Sequence, residues 1–180
     1  MSETTPFSRL VSLAERSQEI TTELPSKEST QIHWVGLGFY LLGQRFVVPL
    51  EEVAETMSIP RATRLPGVKN FVSGVGNVRG KLMALIDLAL FFGEVSKIGN
   101  TKRRILAVED EAQYFGFIID ESLGMQHFLS DSFGETVGEI DNRFRPFVRG
   151  SYRVAETEWP VVSLTALSEH PELEKLAIAS

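Results

Sequence analysis

The residue best suited to chemistry in this sequence is Arg79, a cation set within the densest apolar stretch of the chain, residues 67–93. A guanidinium in apolar surroundings must reach water, a carboxylate or a partner molecule. Arginine favours bidentate or stacked recognition of a carboxylate. The sequence therefore allows two interpretations, a partner-binding arginine or an internal salt bridge to a residue such as Glu55, and both can hold together.

Motifs for catalysis or cofactor binding are missing from the sequence. Gly74-Val75-Gly76 fails as a dinucleotide fingerprint because Arg79 occupies the position of the third glycine. There is no P-loop, nucleophile elbow or HExxH motif, and no two of the three histidines stand at metal-ligand spacing. Asp87 and Asp120 each end an apolar strand and are expected to cap the element that follows. We therefore expect no catalytic residue, no metal site and no cofactor.

The overall composition is that of an ordinary globular domain. Of the 180 residues, 43% are hydrophobic and 23% are charged, and the net charge of −6 argues against a nucleic-acid binder. Cysteine is absent, which excludes a disulfide framework. The longest apolar runs fall short of the ~18–20 residues that cross a bilayer, and the N-terminus does not read as a secretory signal. We therefore expect a cytoplasmic protein without direct membrane insertion.

Residues 1–31 read as an extension that precedes the main domain. Thr5-Pro6 can start a helix, with threonine as the N-cap. The apolar residues that follow recur at helical spacing on one face, at Phe7, Leu10, Val11 and Ala14. The pattern predicts a short amphipathic helix that packs on this domain or on a partner, followed by a polar linker over residues 23–31.

From residue 32 onward the pattern becomes mainly β. We expect one hairpin within residues 34–50 and another within 103–120, because alternating apolar segments there are separated by short polar turns. Two further strands are expected within residues 147–164. Helix formers then predict a C-terminal helix at about 165–178.

The central stretch predicts a strand, a turn, a second strand and a short helix. Asn77–Gly80 reads as a tight turn, because asparagine and glycine tolerate positive φ. The uninterrupted run Leu82–Ile86 is typical of a strand buried on both faces. Leu88–Phe92 is expected to form one or two helical turns that end at Gly93.

The sequence repeats itself at an offset of 76 residues: residues 71–74 match 147–150, and residues 84–90 match 160–166. Both halves read as hairpin, strand, glycine-containing strand, turn, apolar strand and short helix. Many short strands in two similar halves predict two small barrels, because closing a sheet hides its edges. We place the first barrel at about 32–95 and the second at about 101–168.

Residues 71–80, FVSGVGNVRG, followed by Ile86-Asp87-Leu88, resemble the core signature of CheW-like coupling domains (apolar-x-G-x-x-N-x-R-G, then an apolar pair and D-L). The first hairpin and the Val53-x-Glu55 element resemble the same family, and the resemblance covers about residues 35–168. The extension and the segments LPGV, NVRG and GMQHF most resemble the adaptors of type IV pilus signalling systems.

The resemblance implies a mainly β, CheW-like fold of two five-stranded SH3-like β-barrels with short helices, here with an N-terminal helical extension. It also implies no catalysis. Family members bridge the cytoplasmic tip of a methyl-accepting chemotaxis receptor to the regulatory domain of a CheA-type histidine kinase. The positions that match the family's receptor surface are Val53, Glu55, Gly74, Asn77 and Arg79. No kinase-contact residue can be named. The family usually has proline at the position of Ala84, where we expect a small local effect.

Three other functions compete with a pilus adaptor that controls twitching motility. The first is a coupling protein of flagellar chemotaxis within the same family. The second is a small-molecule-binding β-barrel, or an enzyme, with its site in a cleft between the halves. The third is a binder of single-stranded nucleic acid, which the acidic net charge disfavours.

Overall fold

The computed structural model describes residues 33–110 and 113–176. The helix and linker predicted for residues 1–31 lie outside that part of the chain. Within it the chain is mainly β with short helices, which confirms the predicted fold class.

Strands account for most of the regular structure. They are β1 His33–Leu41, β2 Gln44–Pro49, β3 Glu55–Ser58, β4 Ala62–Thr63, β5 Val72–Val78, β6 Lys81–Asp87, β7 Arg104–Glu109, β8 Tyr114–Ile119, β9 Glu121–Leu129, β10 Phe133–Gly134, β11 Val148–Val154 and β12 Thr157–Val162. The α-helices are α1 Leu88–Phe91, α2 Leu164–Ser168 and α3 Pro171–Glu174. Single turns of 3-10 helix cover Leu50–Glu52, Ser130–Ser132 and Arg145–Phe147.

The strands of the described residues form two six-stranded sheets. Sheet A has the order β10-β11-β12-β2-β1-β9, and sheet B has the order β4-β5-β6-β8-β7-β3. Each sheet contains five longer strands and one strand of two residues. Strands β1–β6 belong to the first repeat and β7–β12 to the second. Exchanging each strand for the one at the same place in the other repeat, for example β1 for β7, converts the order of sheet A into that of sheet B. The internal repeat inferred from sequence is therefore a repeat of structure.

The repeat extends to backbone details. Gly74 and Gly150 stand 76 residues apart, each beside a register shift in its hairpin, with φ of 142° and 156°. Asp87 and Ser163 are likewise 76 apart, and each side chain accepts backbone N–H groups as the N-cap of α1 or α2. Asp87 thus caps the following helix as the sequence predicted.

The two sheets are not consecutive halves of the chain. Sheet B is built from the continuous stretch 55–119, whereas sheet A combines residues 33–49 with residues 121–162. Each repeat gives its first hairpin to the other repeat's sheet, where β2 joins β12 and β8 joins β6 as parallel neighbours. The predicted barrel boundaries, 32–95 and 101–168, therefore do not match the two sheets. The first hairpins of the two repeats have similar strand patterns, so the sequence does not show whether each hairpin pairs within its own repeat or with the other one.

Three apolar clusters fill the fold. The largest lies between the sheets and includes Phe39 and Phe46 from sheet A and Phe117 from sheet B. A second cluster, centred on Met83 and Ile105, belongs to sheet B alone. A third belongs to sheet A and includes Phe128, where aromatic rings stack. Each sheet therefore has its own small core and shares a larger one with its neighbour.

A buried ion pair fixes the junction between the sheets. The Arg103 guanidinium donates to both carboxylate oxygens of Asp87, at 2.6 and 2.8 Å, and its Nε lies 3.6 Å from Oδ1 of Asp120. The other oxygen of Asp120 accepts the backbone N–H of Leu42 at 2.7 Å. The prediction that Asp120 caps the element after it, here the strand β9, was therefore wrong. Asp120 stands where the chain crosses from sheet B to sheet A and holds the β1–β2 turn.

The C-terminal region differs from the single helix predicted at about 165–178. It forms two short helices, α2 and α3, separated at Glu169-His170. Pro171 lies in the first turn of α3, and a proline inside a helix would remove a backbone hydrogen bond and clash with the preceding turn. Leu173 of α3 is buried in the shared core, while residues 177–180 lie outside the described residues.

Candidate partner-binding surface

The turn that carries Arg79 sits at the tip of the β5–β6 hairpin. Val78 pairs with Lys81, so Arg79 and Gly80 are the two turn residues, and their φ values are 52° and 81°. Two positive φ values are what a tight type I′ turn requires, although the conformation costs arginine about 1 kcal/mol. Asn77 lies in the strand rather than in the turn, and its Oδ1 accepts the Gly80 N–H at 2.9 Å. The asparagine therefore stabilises the turn that displays Arg79.

Arg79 forms an ion pair and still faces solvent. Its Nη2 donates to Oε1 of Glu55 on β3 at 2.7 Å, while 77% of the Arg79 side chain and 29% of the Glu55 side chain remain accessible. A guanidinium has five N–H donors, and this contact uses only one of its nitrogens. Both interpretations of Arg79 thus fit the geometry, because Glu55 orients a guanidinium whose other donors can reach a partner.

Charged groups of both signs surround this tip. Lys81 forms a second ion pair with Glu109, and this hydrogen bond raises the pKa of the Lys81 ammonium. Tyr114 lies between the two pairs, where burial, followed by the negative charge of Glu55 and Glu109, raises the pKa of its phenol. Two ion pairs, Arg79–Glu55 and Lys81–Glu109, therefore lie near Tyr114 at the edge of the small core of sheet B and offer a partner charges of both signs.

Two residues predicted for the receptor surface, Gly74 and Val53, are less exposed than Arg79. Gly74 is buried in β5, and a Cβ added there would lie 2.4 Å from the carbonyl oxygen of Thr63. Its contribution is therefore the close approach of β4 and β5. Val53 is half-buried beside the shared core. The structure brings Arg79, Glu55 and Asn77 together at the tip, while Gly74 shapes the strand behind it.

Leu82 lies beside this hairpin tip, on the face of β6 that Ala84 and Ile86 share, and the sequence prediction placed it wrongly. Met83, Leu85 and Ile86 are fully buried, as expected for the apolar run, but 71% of Leu82 is accessible. The hairpin projects beyond the sheet, so the first residues of β6 have no second layer above them. The turn at Arg79-Gly80 could have predicted that Leu82 is exposed, because residues beside a hairpin tip lie at the end of a sheet.

Residues 33–110 and 113–176 contain neither a cluster of metal ligands nor a membrane-spanning helix. No group of three or more His, Asp or Glu residues is arranged to hold a metal ion there. No helix in this part of the chain is long and apolar enough to cross a membrane.

Comparison with known proteins points in one direction. The family model described as "CheW-like domain" matches residues 35–172. The protein PilI of Pseudomonas aeruginosa is 38% identical over 174 residues, which cover 97% of each chain. The chemotaxis protein CheW of Helicobacter pylori is 29% identical over 85 residues, 47% of this chain and 51% of that protein.

A solved structure agrees with these sequence matches. The crystal structure of the scaffolding protein TtCheW from Thermoanaerobacter tengcongensis superposes with a TM-score of 0.68 at 25% identity, covering 81% of this chain and 99% of that one. The two-sheet fold described above is thus one that a known scaffolding protein also adopts. Since the family model spans most of the chain and a relative matches nearly its whole length, the protein belongs to the CheW-like domain family.

Proposed function

We propose that this protein is an adaptor that couples a methyl-accepting chemotaxis receptor to a CheA-type histidine kinase in the cytoplasm. The observation that carries the proposal is the exposed Arg79 guanidinium, displayed on a turn that the Asn77 side chain stabilises and oriented by Glu55. The CheW-like family and the scaffolding protein TtCheW support a role in assembly rather than catalysis.

The receptor contact in this proposal uses the five positions that match the family, with distinct tasks. Arg79 makes charge-assisted hydrogen bonds to the receptor's helical tip, and Glu55 holds the guanidinium in place. Asn77 and Gly74 fix the backbone, and Val53 adds apolar contact.

The pathway is proposed to be the chemotaxis-like system that controls type IV pili and twitching motility. The match to PilI covers 97% of this chain, including most of the N-terminal extension that precedes the family model, whereas the match to the H. pylori CheW covers 47%. A shared extension favours a shared pathway over flagellar chemotaxis.

A reconstitution tests the coupling. The purified chain is mixed with the cytoplasmic helical hairpin of a pilus-type receptor and with the regulatory domain of the matching kinase, and the complexes are resolved by analytical ultracentrifugation. We expect a ternary complex that contains all three proteins. A chain that binds neither component, or that binds flagellar but not pilus-type components, contradicts the proposal.

A further inference from the structure

The face of sheet B that continues outward from the shared core has a distinctive make-up. Strand register places Val75 beside Ala84 and Asn77 beside Leu82, and residues that are direct cross-strand partners share a face of the sheet. Ala84 packs on the shared core, and its parallel neighbour Phe115 is buried in it. This face therefore runs from the core into solvent, with Leu82 as its outermost apolar side chain.

A basic segment borders this face on the outer strand. Residues 61–67, RATRLPG, are all exposed, and Thr63 of β4 pairs with Val75. Continuing that register by one step beyond Ala62–Gly76 places Arg61 opposite Asn77, in the same row as Leu82. Neither Arg61 nor Arg64 has a carboxylate partner among the described residues.

The basic segment is held in place by contacts with β5. A Cβ added to Gly76 would lie 3.1 Å from Cγ of Pro60 and 3.4 Å from the carbonyl oxygen of Arg61, so the chains approach closely there. The tight contact of Gly74 with Thr63 fixes the other end of the short strand. Arg61 is thus presented on an ordered backbone, which lowers the entropy lost on binding.

Charge is divided unevenly between the two sheets. The stretch 55–119, which builds sheet B, contains nine Lys and Arg and six Asp and Glu. Residues 33–54 and 120–176 together contain six Lys and Arg and thirteen Asp and Glu. The sheet B side of an acidic protein is therefore basic, and complementarity favours a partner surface rich in carboxylates.

We infer that this face binds an amphipathic helix whose apolar stripe covers Leu82 and whose acidic flank is read by Arg61. The inference rests on the proposed function, in which the occupant is the receptor's helical tip, and it adds what selects that tip. Apolar anchors at i and i+3 or i+4 suit the strip formed by Leu82, Ala84 and Val75. Arg61 is then a specificity-determining residue that favours receptors with a glutamate or aspartate beside that stripe.

The test measures binding of the full chain to the receptor's cytoplasmic helical hairpin by fluorescence anisotropy. We expect Arg61→Glu to weaken binding about tenfold and Leu82→Ala to weaken it by a similar factor, as for contacts at an interface centre. Arg153→Glu on sheet A, also an exposed arginine, is the matched control and should leave the affinity unchanged. Thermal unfolding checks that each variant is folded.

A charge change in the receptor hairpin separates this inference from the proposed function. Replacing the hairpin's acidic residues beside its apolar stripe by lysine should weaken binding to the natural chain and restore binding to the Arg61→Glu variant. If Arg61→Glu binds normally while Arg79→Ala does not, this inference is wrong and the proposed function stands. If the natural chain does not bind the hairpin at all, both are wrong.

Discussion

Replacing Arg79 by alanine should separate stability from partner binding. The positive φ of position 79 is retained by alanine, so the backbone cost of the turn stays nearly the same in both proteins. The change removes the ion pair to Glu55 and the free donors of the guanidinium. A residue that serves a partner rather than the fold should lose much more binding energy than folding energy.

The magnitudes follow from the accessibility of the pair. With 77% of Arg79 and 29% of Glu55 accessible, water screens the interaction, and exposed ion pairs contribute about 0.2–1 kcal/mol to folding. An arginine at the centre of an interface commonly contributes about 2 kcal/mol or more to binding, which corresponds to roughly thirtyfold in Kd. Glu55→Gln should cost about 1 kcal/mol of binding, because it only loosens the orientation of Arg79.

The assay is a double-mutant cycle on the two residues. Urea unfolding gives the free energy of unfolding, and anisotropy titration with the receptor hairpin gives Kd, for the natural chain, Arg79→Ala, Glu55→Gln and the double variant. We expect the double variant to bind no more weakly than Arg79→Ala, because Glu55 acts through Arg79. A loss above about 2 kcal/mol in unfolding with an unchanged Kd would refute this account of Arg79.

Three other changes test the fold behind the site. Arg103→Met leaves the Asp87 carboxylate buried without its partner and should lower the free energy of unfolding by about 3–5 kcal/mol, measured by urea unfolding. Gly74→Ala should lower the melting temperature more than Gly80→Ala, because a Cβ at position 74 meets a carbonyl oxygen whereas position 80 is open; equal losses would contradict this. The hydroxyl of Ser151 and then the N–H of Gly138 lower the pKa of the Glu158 carboxyl, so its stabilising effect is present above the ordinary value of 4.5 and disappears as the pH falls through the lowered pKa. The stability gap between the natural chain and Glu158→Gln should therefore close in acid, and a gap that persists there would contradict the assigned hydrogen bonds.

Local features of the fold could be predicted from the sequence. The hairpin between β1 and β2, the N-cap at Asp87 and the helix end at Gly93 all follow from preferences of single residues or short patterns. The repeat at an offset of 76 residues was visible as matching segments, and the sheets have matching strand orders. The exposure of Arg79 could also be expected, because a guanidinium in an apolar stretch must reach water, a carboxylate or a partner.

Other features depended on which segments pair in space. The apolar pattern of β6 indicated burial but could not show that Leu82 projects beyond the second layer. Asp120 was expected to cap the element that follows it, yet its side chain accepts the backbone N–H of Leu42, 78 residues away. Such contacts join residues that are far apart in the sequence and close in space, so no local sequence pattern predicts them.

Local sequence patterns were enough to predict the strand content, the duplicated pattern and an arginine at a hairpin turn. Each of these depends on residues within a few positions of one another, where propensity and alternation are decisive. The exchange of hairpins between the two repeats and the contact of Arg79 with Glu55 depend instead on how distant segments pair in three dimensions. The reason is that duplicated strands have nearly equivalent pairing choices, and the connections and the shared core, not the local pattern, select among them.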